Sequence, residues 1–167
     1  DDNIVNIQSR PFDPAFKEHG YLDNSLRQDL EALRALPRVV GGSNTNFLPW
    51  QGGGSSTELK VAAGEGMRTQ IYNTDEGTFE ALGIKVTEGR GFTKEQVDTD
   101  MLRLRKLGTE QRPRGADGQP AEKFLQEVVI SRAFAKLALG EGSPLGKTLE
   151  DSDGDLYRVI GVIEEFY

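Results

Sequence analysis

Four stretches of the chain carry residue types that do chemistry in other proteins. Gly140-Glu141-Gly142-Ser143-Pro144-Leu145-Gly146-Lys147-Thr148 ends as a phosphate-cradling loop ends, with backbone amides beside a lysine. That chemistry requires glycine five residues before Gly146, where Glu141 stands, a carboxylate that repels phosphate. Asp151, Asp153 and Asp155 offer hard oxygen ligands at calcium-loop spacing. The glycine of such a loop would fall at Leu156 and its closing glutamate at Val162, so Asp153-Gly154 reads as a hairpin turn instead. Gly89-Arg90-Gly91 lacks the third glycine of a dinucleotide fingerprint and reads as a tight turn. His19, beside Lys17 and Glu18, reads as a solvent-facing loop residue rather than a general base.

Composition closes further routes. The absence of cysteine removes disulfides, thiolate zinc sites, iron-sulfur clusters and cysteine nucleophiles, and a single histidine removes multi-histidine metal centres. With 20 basic against 27 acidic residues the net charge is −7, which disfavours a nucleic-acid partner. No apolar run approaches the roughly 20 residues that span a bilayer. The expectation is no catalytic residue, no cofactor and no metal.

With 36% hydrophobic residues in 167, the chain can bury the core of one domain. Ile4, Val5 and Ile7 alternate as a short strand before Pro11 and Pro14. Leu26, Leu30, Leu33 and Leu36 recur at helical spacing, with Pro37 as the stop. Val39 and Val40 open a strand-like stretch toward Trp50, and residues 51–56, rich in glycine and serine, read as a flexible loop. Leu59, Val61 and Ala63 pair with the segment 68–72 as an antiparallel hairpin, and Phe79 and Leu82 stripe a short helix ended by Gly83. Ile84 and Val86 form a strand, and Thr93 with Gln96 has capping-box spacing. Residues 98–121 read as a charged insertion. Val128–Ile130 form a strand, Ser131 caps a helix that stops at Gly140, and Thr148 to Ile163 form a hairpin. The sum is an α+β fold with a mixed sheet, half a dozen strands and three helices.

Two groups of residues suit partner contact. Phe47 and Trp50 flank the glycine-rich loop, and indole joins apolar area to one donor. Leu102, Arg103 and Arg105 belong to a short basic amphipathic stretch, Met101 to Leu107.

Taken in order, several segments resemble the MacB-like ABC transporter permeases. Residues 73–93, with Phe79-Glu80-Ala81-Leu82-Gly83-Ile84 and Gly89-Arg90-Gly91-Phe92, resemble one family segment, with Thr78 in place of an aromatic. Val128 to Ala135, Ser143 to Lys147 and Tyr157 to Ile163 resemble the rest of the periplasmic core in sequence order. Asp29 to Val39 fits its early helix, with Arg38 where glycine is common.

The resemblance implies a two-lobed α/β periplasmic core with βαβ elements, placed outside the membrane between two transmembrane helices. The chain would then be a single extracytoplasmic domain over 1–167, trimmed from a longer polypeptide. The family implies no enzyme activity. It implies that a cytoplasmic ATPase drives the domain mechanically for export or for envelope work such as lipoprotein release. A second permease subunit and a periplasmic adaptor are the implied partners. The competing reading is a free-standing binding domain or small enzyme with the glycine-rich loop as its lid.

Overall fold

The computed structural model describes residues 3–7, 21–45, 48, 55–61, 64, 66–109, 114–116, 118 and 122–164, the side chains of 21–23 and 104–109 excepted. In chain order these form α1 (Tyr21–Arg34), β1 (Ser55–Lys60), β2 (Gly66–Ile71), α2 (Thr78–Ala81), β3 (Val86–Gly89), α3 (Lys94–Thr109), β4 (Leu125–Ser131), α4 (Arg132–Leu139), β5 (Thr148–Asp151) and β6 (Leu156–Ile163). All six strands join one mixed sheet, in an α+β arrangement.

β6 organises the sheet. Along one edge it runs parallel to β4, with Val128 opposite Val159 and Ser131 opposite Ile163. Its other edge is divided. β5 pairs antiparallel with the first part, Leu149 opposite Tyr157, and β3 pairs antiparallel with the last part, Gly89 opposite Gly161. β5 passes the ladder to β1, and β1 to β2, with Leu59 opposite both Asp151 and Met67. β4, α4 and β6 therefore form a βαβ crossover with β5 inside the connection. Glycine is required where β3 meets β6, because a Cβ on Gly89 would run into the Ile160 carbonyl and one on Gly161 into the Arg90 carbonyl.

α4 closes the sheet because its local signals agree. The Ser131 hydroxyl accepts the Phe134 amide at 3.2 Å as an N-cap, and Gly140 leaves the helix at φ 73°. Its inner face brings Ala138 against Leu59, Leu149 and Tyr157, with Val128 and Phe134 packed around them. Val159 and Val162 are fully buried on β6. Each such valine contributes roughly 1.5–3 kcal/mol of apolar burial.

The capping box at the start of α3 is present in full. The Gln96 side chain accepts the Thr93 amide at 2.9 Å, and the Gln96 amide donates to the Thr93 hydroxyl at 3.3 Å. No proline interrupts the chain between the cap and Pro113, so α3 runs on to Thr109. The first half of the expected 98–121 insertion is thus the body of a fourth helix.

Three further expectations are corrected. Ile4 to Ile7 joins no ladder among the described residues, and Val5 and Ile7 are 78% and 59% exposed. Val39 and Val40 are not a strand; the stretch to Thr45 holds only an isolated bridge, Thr45 with Thr74. Ser55 and Ser56 open β1 instead of belonging to a loop, because they pair with Ile71 and Gln70. Residues 51–54, the rest of that loop, and His19 lie outside the described residues.

α1 stops in a type II turn. The Val39 amide donates to the Leu36 carbonyl at 3.2 Å, Pro37 fills the second position, and Arg38 takes φ 76° at the third, which normally demands glycine.

Candidate functional site

α1, α2, α3 and the face of the sheet enclose a cleft of about 1210 Å3. Its apolar lining comes from Leu26 and Leu30 on α1, Ile71 on β2, Val97 and Met101 on α3, and Val128 on β4. The helical period of α1 and α3 places these side chains inward, and Phe79 stacks on Phe92 at one end with ring centroids 5.7 Å apart.

The rim is charged and paired. Arg27 of α1 donates to both carboxylate oxygens of Asp98 on α3, at 2.8 and 3.3 Å. Arg34 donates twice to the Gly42 carbonyl, at 3.0 and 2.6 Å, and lies 3.9 Å from Asp75 and 3.6 Å from Glu76. Asp75 is buried, and it accepts the Asn44 amide at 2.7 Å and the Gly77 amide at 3.0 Å. Beside it the Thr78 hydroxyl contacts those of Ser43 and Thr74.

At the opposite wall, Glu127 of β4 is gripped by two arginines, Arg90 at 2.9 Å and Arg158 at 2.5 Å. Its burial works against the charge, but the hydrogen bonds from Arg158 and Arg90 prevail and hold the carboxyl below its ordinary range. Arg90 also donates to Gln96 at 2.7 Å, which ties this cluster to the capping box of α3. Asp100 moves the other way: desolvation raises it, Arg103 opposes, and Glu127 adds repulsion.

The acidic turn between β5 and β6 is filled from within. One Asp151 oxygen accepts the amides of Asp153 and Asp155, each at 2.9 Å, and the other accepts the Tyr157 hydroxyl at 3.1 Å. Burial, followed by the Asp151 carboxylate, pushes the Tyr157 phenol well above its ordinary value. Gly154 closes the turn at φ 83°. Among the described residues, no three of His, Cys, Asp and Glu are grouped to hold a metal ion. The Gly146 amide donates to the Val159 carbonyl at 2.8 Å and Thr148 opens a strand, so the Gly-Lys-Thr sequence serves the sheet.

Of the residues singled out for partner contact, Leu102 is 64% exposed on α3. Arg103 turns back to the sheet, donating to the Leu125 carbonyl at 3.1 Å with its guanidinium 5.8 Å from the Phe124 ring centre. Arg105 lies within α3, but its side chain is outside the described residues, as are Phe47 and Trp50. The Arg27–Asp98 pair and the Glu127 cluster were missed because their members are 71, 37 and 31 residues apart and no local spacing announces them.

The fold is similar to that of the periplasmic region of MacB from Actinobacillus actinomycetemcomitans. The likeness has a TM-score of 0.52 and 21% identity, covering 83% of this chain and 50% of that one. The extracellular domain of the noncanonic ABC-type transporter YknZ from Gram-positive bacteria is similar at TM-score 0.46 and 21% identity, with 83% and 56% covered. The chain spans about half the length of these solved structures. Among curated protein sequences no relative matches. The family model described as MacB-like periplasmic core domain matches residues 1–167, and the chain belongs to that family. It is an extracytoplasmic domain of the kind that ABC transporter permeases carry. Among the described residues no helix is long and apolar enough to cross a membrane.

Proposed function

We propose that this domain relays motion outside the membrane, coupling ATP hydrolysis by a cytoplasmic ATPase to conformational change in a permease engaged in export or envelope work. The observation that carries the reading is the family match along the whole chain, 1–167. The cleft supports it, because two long helices tethered over an apolar face by ion pairs can change position without dissolving the core. The domain works beside a second permease subunit, in contact with a periplasmic adaptor, and exposed Leu102 is a candidate residue for such contact. Phe47, Trp50 and Arg105 remain candidate contact positions for the same partners. Arg103 holds α3 to the sheet.

The test uses the full-length gene product. Reporters fused before Asp1 and after Tyr167 are expected to be active only outside the cytoplasm. A cysteine placed at Leu102 is expected to change its labelling rate with an impermeant maleimide between the ATP-bound and nucleotide-free states. A cytoplasmic location, or a labelling rate indifferent to nucleotide, overturns the proposal.

A further inference from the structure

We infer that α1 is a latched lid over the cleft, pivoting at its Arg34 end and fastened to α3 at mid-helix by the Arg27–Asp98 ion pair. The pivot and the catch are built differently. At the Arg34 end the chain is pressed together and bonded locally: the guanidinium makes two hydrogen bonds to the Gly42 carbonyl only eight residues on, and Asp75 and Glu76 stand within 4 Å. Two glycines permit that close approach. A Cβ on Gly41 would meet the Ala81 backbone nitrogen at 3.1 Å, and one on Gly77 would lie 2.5 Å from the Gly42 carbonyl oxygen. Burial of Asp75 and Thr78 completes a fixed point.

The contact at mid-helix is of another kind. Arg27 reaches Asp98 across 71 residues of chain, both side chains keep 48% and 38% of their surface in solvent, and the bond is bidentate. On either side of Arg27, α1 lays Leu26 and Leu30 over the cleft, which leaves about 1210 Å3 of space where a closely packed helix would leave none. An exposed ion pair is weak, salt-sensitive and quickly remade. Those are the properties of a catch rather than a structural bond, since it holds a helix whose release uncovers apolar surface at the cleft.

The chain has no cysteine, so spin labels can be placed at will in residues 1–167. Labels at exposed Gln28 on α1 and Thr99 on α3 report the catch, and labels at exposed Glu58 and Lys147 report the sheet. The measurement is made on the full-length gene product with any cysteine outside 1–167 replaced by serine. Double electron–electron resonance is recorded for the parent, Arg27→Gln, Asp98→Asn, and the swapped pair Arg27→Asp with Asp98→Arg. Each neutralisation is expected to raise the ratio of long to short α1–α3 distances by about 2- to 5-fold, the range that an exposed ion pair commands. Raising NaCl from 0.05 to 1 M is expected to do the same in the parent alone, as the screening length falls to about 3 Å. The swapped pair is expected to recover the parent distribution, while the sheet distance stays fixed throughout. An α1–α3 distribution that ignores both neutralisation and salt overturns the inference. So does one that broadens only together with the sheet distance, because the variant has then loosened the whole domain.

Discussion

Replacing Asp151 should cost more than any exposed acidic residue, and the cost can be worked out bond by bond. Its carboxylate accepts two backbone amides at 2.9 Å and the Tyr157 hydroxyl at 3.1 Å, and Asp151 is 7% exposed. In Asp151→Ala the hydroxyl of Tyr157, itself 8% exposed, loses its acceptor where water has little access. An orphaned buried donor costs about 1–3 kcal/mol. The amides of Asp153 and Asp155 lose charge-assisted bonds, but the turn lies at the surface and water replaces part of each, leaving about 0.5–1 kcal/mol apiece. The sum is about 2–5 kcal/mol. At this chain length each kcal/mol moves the midpoint by about 2–4 °C, so the thermal midpoint followed by circular dichroism should fall by roughly 4–20 °C. Asp151→Asn keeps an acceptor for the amides and offers its NH2 to the Tyr157 oxygen, so its loss should stay near 1 kcal/mol. Tyr157→Phe should cost about 1–2 kcal/mol in the parent and almost nothing in Asp151→Ala, where the hydroxyl is already orphaned. Equal losses for Asn and Ala, or additive losses in the double variant, would refute the reasoning.

Four other outcomes are expected. Arg38→Gly relieves about 1–2 kcal/mol of left-handed backbone but loosens the unfolded chain by about 0.4–1 kcal/mol, so a net gain near 0.5–1 kcal/mol should appear in a urea titration, while Arg38→Ala gains nothing. Gly161→Ala should lower stability by at least about 2 kcal/mol in the same titration, because its Cβ meets the Arg90 carbonyl just past the end of β3. Glu127, depressed in the folded state, adds stability that is complete above its unfolded value near pH 4.5 and is lost as the pH falls. Glu127→Gln should therefore flatten the acid side of the stability curve, where raised Asp100 makes an opposing gain as it takes up its proton. The Tyr157 phenol, raised by burial, contributes stability that is complete below pH 10.0 and declines as the pH rises beyond it, a slope that Tyr157→Phe should remove in alkaline melts.

Elements whose signals close within a few residues were legible in the sequence. Thr93 with Gln96, Ser131 with Phe134, and Asp153-Gly154 each complete a cap or turn locally, and the helices and hairpin stand where they point. The order of resembling segments pointed to the family for a related reason, since it samples the whole chain. Strands that need a partner were harder. Ile4, Val5 and Ile7 alternate, and Val39 and Val40 are β-branched, yet alternation specifies a strand only where another edge is free to receive it. The body of α3 was hidden for the opposite reason: its charge-rich sequence looks like loop, although nothing in it breaks a helix before Pro113. The charged rim of the cleft was illegible altogether, because Arg27 and Asp98 become neighbours only after both helices are placed.

The division of one edge of β6 between β5 and β3 has a mechanical meaning. Tension applied along β6 meets seven residue pairs with β4 side by side, so the ladder is strained in shear and its bonds must yield together rather than open one after another from an end. On the opposite edge, the same tension reaches β5 near Leu156 and β3 near Gly161. Along the strand ladder of the described residues, the outer hairpin of β1 and β2 joins at the first of these points, by way of β5. A pull at the Ile163 end would thus engage β3 and β4 directly and reach β2 last, which makes β6 the beam of the domain and the β1–β2 hairpin its trailing load.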